Sequence, residues 1–172
     1  VAKAEKEVLE VIDKTGKDVS IQFGCHDLHP RLRTMLGRLR YRSSYGQNVL
    51  AHCQEVAHIC GLLAGELKLD VALAKRCGLL HDCGKAVDQE VEGTHPQIGM
   101  DIAKQCEERA EVCESIGGHH GDIEIHSLYP VLVQRRRGSP RGPVFDAPLG
   151  EQQLRRRDCA KSTILVSEGG SV

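Results

Sequence analysis

Between residues 44 and 67 the apolar positions Val49, Leu50, Cys53, Val56, Ala57, Cys60, Leu63, Ala64 and Leu67 recur in steps of three and four, the spacing of one helix face. Asp70 then reads as an N-cap for a second helix, whose Val71, Leu73, Ala74, Cys77, Leu79 and Leu80 lead into His81-Asp82-Cys83-Gly84-Lys85, with Gly84 ending it. A polar loop, 88–94, precedes His95-Pro96, where proline suits a first helical turn, and Ile98, Ile102, Ala103 and Cys106 carry the stripe onward. A further helix at about 110–118 ends in Gly117-Gly118-His119-His120-Gly121, and residues 126–134 begin a last apolar segment. Upstream, residues 2–15 read as a charged connecting helix with Val8, Leu9 and Ile12 as its stripe and Gly16 as its stop. Residues 17–30 read as irregular, and a short helix follows His29-Pro30. No strand alternation persists, so the chain is expected to be all-α: a helical bundle with a poorly structured tail.

At Arg135 the pattern breaks. Arg135-Arg-Arg-Gly-Ser-Pro-Arg-Gly-Pro mixes helix breakers with positive charge, and nothing later restores an amphipathic helix. Residues 135–172 hold eight Lys/Arg against four acids, a balance of +4, whereas the preceding 134 residues carry −5. The organisation expected is therefore a lead-in segment over 1–43, the principal domain over 44–134 and an aberrant or disordered tail over 135–172.

Composition narrows the function. With no Trp, two Phe and three Tyr, base stacking is a poor expectation for ligand contacts. No apolar run is long enough to cross a bilayer and no signal-peptide core is present, so the expectation is a soluble, cytoplasmic chain. Eight cysteines without a CxxC, most of them at helical apolar positions, read as reduced core residues.

The histidines carry the chemistry. His52 borders the buried face of its helix, His81-Asp82 and His119-His120 end helices, and His95 begins one. Each alone reads as a hydrogen-bonded core or helix-end residue; together they have the residue usage of a metal site. Imidazoles with a carboxylate suit Mn²⁺, Fe²⁺, Co²⁺, Ni²⁺ or Zn²⁺, and five histidines exceed what one ion needs. Two ions about 3.5–4 Å apart would clamp a phosphoryl group for in-line attack. Lys85 stands where it could meet such a phosphate, or it is an ordinary solvated lysine. His26, His29, His58 and His126 are set aside, His58 because it lies about 120° around the helix from His52.

His52, His81-Asp82 and Gly84-Lys85 resemble the His-Asp-x-Gly form of the HD phosphohydrolase superfamily. Leu36-Gly-Arg-Leu-Arg-Tyr-Arg-Ser-Ser-Tyr-Gly-Gln-Asn-Val-Leu-Ala-His52, Glu55-Val-Ala-His58, Ala74-Lys-Arg-Cys-Gly-Leu-Leu-His-Asp82, the run from Gly84 to His95, and His119-His-Gly-Asp122 are similar to bacterial ribonucleases Y. The resemblance covers about residues 2–134. It implies a metal-dependent endoribonuclease of mRNA decay, with His81, Asp82 and Lys85 as catalytic residues. His52, His81, Asp82, His95, His119 and His120 would be the ligands of divalent ions such as Mn²⁺, Mg²⁺, Fe²⁺ or Zn²⁺. It further implies an RNA substrate, a homodimer, other RNA-decay proteins as partners, and a C-terminal fragment of a longer protein. That protein would be anchored at the cytoplasmic membrane face by a segment absent here, with a coiled coil and a KH domain before this region.

The resemblance fails after Gln134, where the family continues Ala-Ala-Asp-Ala and supplies its last metal-ligating aspartate. Arg135-Arg-Arg-Gly stands there instead, as an out-of-frame reading of a GC-rich gene would give. Asp146 and Asp158 lie among Pro, Gly and Arg with no helix to aim them. Three functions compete: an RNA phosphodiesterase impaired by that loss, a phosphohydrolase of nucleotides or cyclic dinucleotides on the same site, and a catalytically dead regulatory or assembly domain.

Overall fold

The computed structural model describes residues 2–87 and 91–136, and among these the architecture is all-α. The helices are α1 (Ala2–Gln22), α2 (Pro30–Leu39), α3 (Val49–Glu66), α4 (Val71–Leu80), α5 (His95–Gln105), α6 (Ala110–Gly118) and α7 (Leu128–Arg136). A hairpin of β1 (Ser43–Ser44) and β2 (Gln47–Asn48) precedes α3, and a 3-10 turn, Cys83–Ala86, follows α4. The expectations for the tail, including Asp146, Asp158 and Cys159, lie outside the described residues; α7 itself continues to Arg136.

α3 and α4 form the most extensive helix pair. Their closeness has a local cause: a Cβ on Gly78 would lie 2.8 Å from Ala57 Cα and 2.9 Å from Ala57 N, so only glycine allows this crossing. Asp70 Oδ1 caps α4 by accepting from Ala72 N at 2.9 Å and Leu73 N at 3.0 Å, as the sequence predicts. Leu79, Leu80, Cys53, Val56, Cys60 and Cys77 are buried between the helices. The core continues without a break into the lead-in, since Leu32, Leu36 and Leu39 of α2 have no exposed surface. The seven described cysteines are free, and burial pushes the Cys77 thiol up to about 12, so it packs as a small neutral side chain. Arg76 ties the periphery together, its guanidinium reaching Glu108 at 2.7 and 2.8 Å and Asp27 at 2.7 Å.

Three boundaries differ from the sequence reading, each for a physical reason. Gly16 does not stop α1, which runs on through residues 17–22. A Cβ on Gly16 would strike the Arg33 carbonyl, and one on Gly37 would strike the Ile12 carbonyl, so this pair of glycines lets α1 and α2 touch backbone to backbone. The buried stripe is accordingly Ile12, Gly16, Val19 and Phe23, while Val8 and Leu9 face solvent.

Residues 44–48 are not helical. Ser44 pairs with Gln47 across Tyr45-Gly46, both at positive φ (52° and 78°), as a two-residue I′ turn requires. Asn48 then caps α3, its Oδ1 accepting from Ala51 N at 3.1 Å.

Gly84 does not end α4, whose last residue is Leu80. It lies in the 3-10 turn, and a Cβ there would run into the His95 carbonyl and lie 2.9 Å from Gly99 N. Its smallness brings the first turn of α5 onto the His81-Asp82 segment.

Candidate metal centre

Four histidines converge on one carboxylate. His81 Nε2 lies 3.3 Å and His52 Nε2 3.8 Å from Asp82 Oδ2, while His119 Nε2 lies 3.3 Å and His95 Nε2 3.4 Å from Asp82 Oδ1. His120 joins through His95, the two Nε2 atoms being 3.2 Å apart. All six residues singled out from the sequence as ligands therefore meet in one pocket. His26, His29, His58 and His126 do not: His29 caps α2, His58 packs on the Phe23 ring at 4.7 Å, and His126 Nδ1 pairs with Glu114 at 3.1 Å.

Two of the histidines are oriented by the same device. His81 and His119 each follow the last residue of a helix, where the final carbonyls have no partner in the helix. His81 Nδ1–H donates to the Gly78 carbonyl at 2.8 Å and His119 Nδ1–H to the Ile116 carbonyl at 2.6 Å. With the proton held at Nδ1, both rings turn a bare Nε2 lone pair inward. Backbone carbonyls commonly orient metal-ligating histidines in this way.

The inward-facing atoms are not otherwise satisfied. His81 Nε2, His119 Nε2 and Asp82 Oδ1 are buried and have no hydrogen-bond partner. Lone pairs brought together at 3.3 Å without a proton between them repel, and such an arrangement calls for a cation. Burial pushes the His119 pKa down to about 4 against the pull of Asp82, and burial lowers His52 as well, so both stay neutral ligands near pH 7. Burial alone would raise the pKa of Asp82, but its surroundings, His81 foremost and then His119 and His95, outweigh burial and hold the carboxyl well below the usual range. Imidazoles gathered around an ionised carboxylate are a borderline-metal donor set. Among the described residues two groups satisfy the spacing, His52/His81/Asp82 and His95/His119/His120, the donor atoms of each lying within 4.8 Å of one another.

Lys85 is not a solvated lysine. Its Nζ donates to Asp82 Oδ2 at 2.8 Å, with only 13% of the side chain exposed. It also lines a cleft of about 260 Å³ with His95, His120, Arg42, Ser44 and Tyr45. Arg42 and the hairpin were not singled out as site residues from the sequence. The available signal was Tyr45-Gly46 between short polar pairs, a turn pattern that the long apolar periodicity of α3 had absorbed. Gln134, near the end of α7, donates from Nε2 to the Gly118 carbonyl at 2.6 Å, which holds that helix beside His119.

The HD domain family profile matches residues 49–163. Among curated proteins the chain is 54% identical over 134 residues to a ribonuclease Y of Syntrophomonas wolfei, covering 78% of this chain and 26% of that protein. It is 55% identical to a ribonuclease Y of Acetivibrio thermocellus and 56% to one of Clostridium botulinum (strain Langeland), with the same coverage. The chain thus spans about a quarter of the length of these relatives. No solved structure matches it.

Proposed function

The chain belongs to the HD-domain family, and from that premise we propose that it is the metal-dependent hydrolase portion of a ribonuclease Y-type protein, cleaving phosphodiester bonds of single-stranded RNA in the cytoplasm. The observation that carries this reading is the trio of buried, unpartnered atoms, His81 Nε2, His119 Nε2 and Asp82 Oδ1, facing one another. His52, His81, Asp82, His95, His119 and His120 are the ligands on this reading. Divalent ions held there would supply Lewis-acid charge to the phosphoryl oxygens and would lower the pKa of water. The protein's own contribution is order: two carbonyl-locked imidazoles, a carboxylate kept ionised and a floor from which bulk water is excluded. Lys85, held by Asp82, brings an ammonium group to the cleft side of the floor, where it offsets charge on a non-bridging oxygen. The net reaction breaks one P–O bond and consumes one water.

Residues 44–134 form the HD domain on this reading, with 1–43 as its lead-in, and a homodimer and other RNA-decay proteins are the partners that it implies. The departure at Arg135-Arg-Arg-Gly favours impaired activity, since an arginine stands where the family resemblance implies a ligating aspartate. Replacing residues 135–138 by Ala-Ala-Asp-Ala, with the rest of the family's helix after them, tests this. Cleavage of a fluorescein-labelled oligoribonucleotide in Mn²⁺ is expected to rise at least about tenfold, in line with the cost of disturbing a ligand set. Equal rates in the two chains would remove the aspartate from the ligand set. Hydrolysis of cyclic dinucleotides in preference to RNA would replace the substrate.

A further inference from the structure

The cleft beside the metal centre is lined by His95, His120 and Lys85 together with Arg42, Ser44 and Tyr45. Tyr45 is fully exposed and sits at the tip of the hairpin at φ 52°. A type I′ turn strongly favours Asn, Asp or Gly at that position, and a bulky aromatic side chain held there, with nothing to pack against, is an outlier that asks for a use outside the fold. The hairpin that presents it is anchored at its base. Asn48 caps α3 through Oδ1 and donates from Nδ2 to the Arg40 carbonyl at 2.7 Å, Gln47 Nε2 donates to Glu55 at 3.1 Å, and Val49 N donates to the Arg42 carbonyl at 3.0 Å. A phenol ring is thus carried on a braced turn that lines the same cleft as the candidate ligands His95 and His120.

We infer that the 43–48 hairpin is a nucleotide-binding rim, with Tyr45 stacking on the base of a nucleotide next to the scissile phosphate and Arg42 pairing with the adjoining phosphate. The inference rests on the RNA reading above and adds a subsite to it. A cleft of about 260 Å³ is below the size that encloses a whole small molecule, as suits one nucleotide of a strand whose remainder stays in solvent. Stacking tolerates any base because every base has a π-face, so this contact grips the strand without choosing a sequence. Arg42 provides the planar fork that matches a phosphate. The scarcity of aromatic residues makes base stacking a poor expectation from composition, and the single fully exposed tyrosine on the cleft departs from that expectation.

The test uses the full chain and a single-stranded oligoribonucleotide carrying 2-aminopurine, whose fluorescence is quenched on stacking, with fluorescein anisotropy for affinity and EDTA present to prevent turnover. Wild type and Tyr45→Phe are expected to quench alike. Tyr45→Asn, which suits the turn better than tyrosine, is expected to lose the quench and bind about tenfold more weakly. Arg42→Gln is expected to reduce the slope of log Kd against log salt by about one phosphate contact. Circular dichroism checks that the variants are folded, and Tyr45→Gly serves in place of Tyr45→Asn should that variant unfold. Affinity and quench unchanged in the Tyr45 variants would overturn the inference, and so would the absence of RNA binding by the wild type. Tyr45-dependent binding without Mn²⁺-dependent cleavage, even after residues 135–138 are replaced by Ala-Ala-Asp-Ala and the rest of the family's helix, would sustain the rim and overturn the nuclease reading. Cleavage with Tyr45-independent binding would do the reverse.

Discussion

The floor of the site and its rim are held by different means. On the floor, His81 and His119 are fully buried and each is fixed by a carbonyl three residues back in its own helix, so their orientation is local. On the rim, His52, His95 and His120 are partly exposed and owe their positions to contacts between elements: Gly78 against Ala57 for His52, Gly84 against the His95 carbonyl for α5. Direction is thus encoded one helix end at a time, whereas distance is encoded by glycines far apart in sequence. A site built this way fails differently depending on which part is disturbed.

The sharpest contrast is between floor and rim candidate ligands. His81→Ala removes a locked candidate ligand and leaves Asp82 buried beside an unfilled space, so Mn²⁺ affinity and RNA cleavage are expected to fall more than about 100-fold, beyond the range for groups that merely support a ligand. His120→Ala, at the exposed end, is expected to cost about tenfold or less, read by calorimetric titration and initial rates. Equal losses in the two would erase the distinction between floor and rim.

A smaller effect separates distance from direction. Gly84→Ala and Gly37→Ala each force a Cβ into a backbone carbonyl, of His95 and Ile12 respectively, and each is expected to lower Tm by roughly 5–10 °C. Only Gly84→Ala is expected to weaken Mn²⁺ binding as well, because it displaces α5 and with it His95. If Gly37→Ala weakened metal binding as much, the α1–α2 pair would belong to the site.

The same division explains what the sequence made legible. The Asp70 cap, the 110–118 helix and the His95-Pro96 start follow from local rules, and the structure agrees with each. Gly16 misled because helix-stop rules treat glycine as a source of freedom, while here it serves close approach to Arg33, a residue 17 positions away. Gly84 misled for the same reason. The hairpin was hidden because Tyr45 breaks the usual preference for Asn or Asp at its turn, and Lys85 was ambiguous because it falls against Asp82, three residues back, only through the 3-10 turn, where residues i and i+3 eclipse.

The central claim is that Asp82 and its ring of imidazoles hold a divalent ion. The most direct measurement is calorimetric titration of the metal-stripped full chain with Mn²⁺, beside an Asp82→Asn variant matched to it in circular dichroism and Tm. The expected result is saturable binding of at least one ion per wild-type chain, weakened at least about 100-fold in Asp82→Asn, where the ligand charge is lost and the shape retained. A folded wild type with no saturable binding, or an Asp82→Asn variant that binds as tightly, would contradict the account.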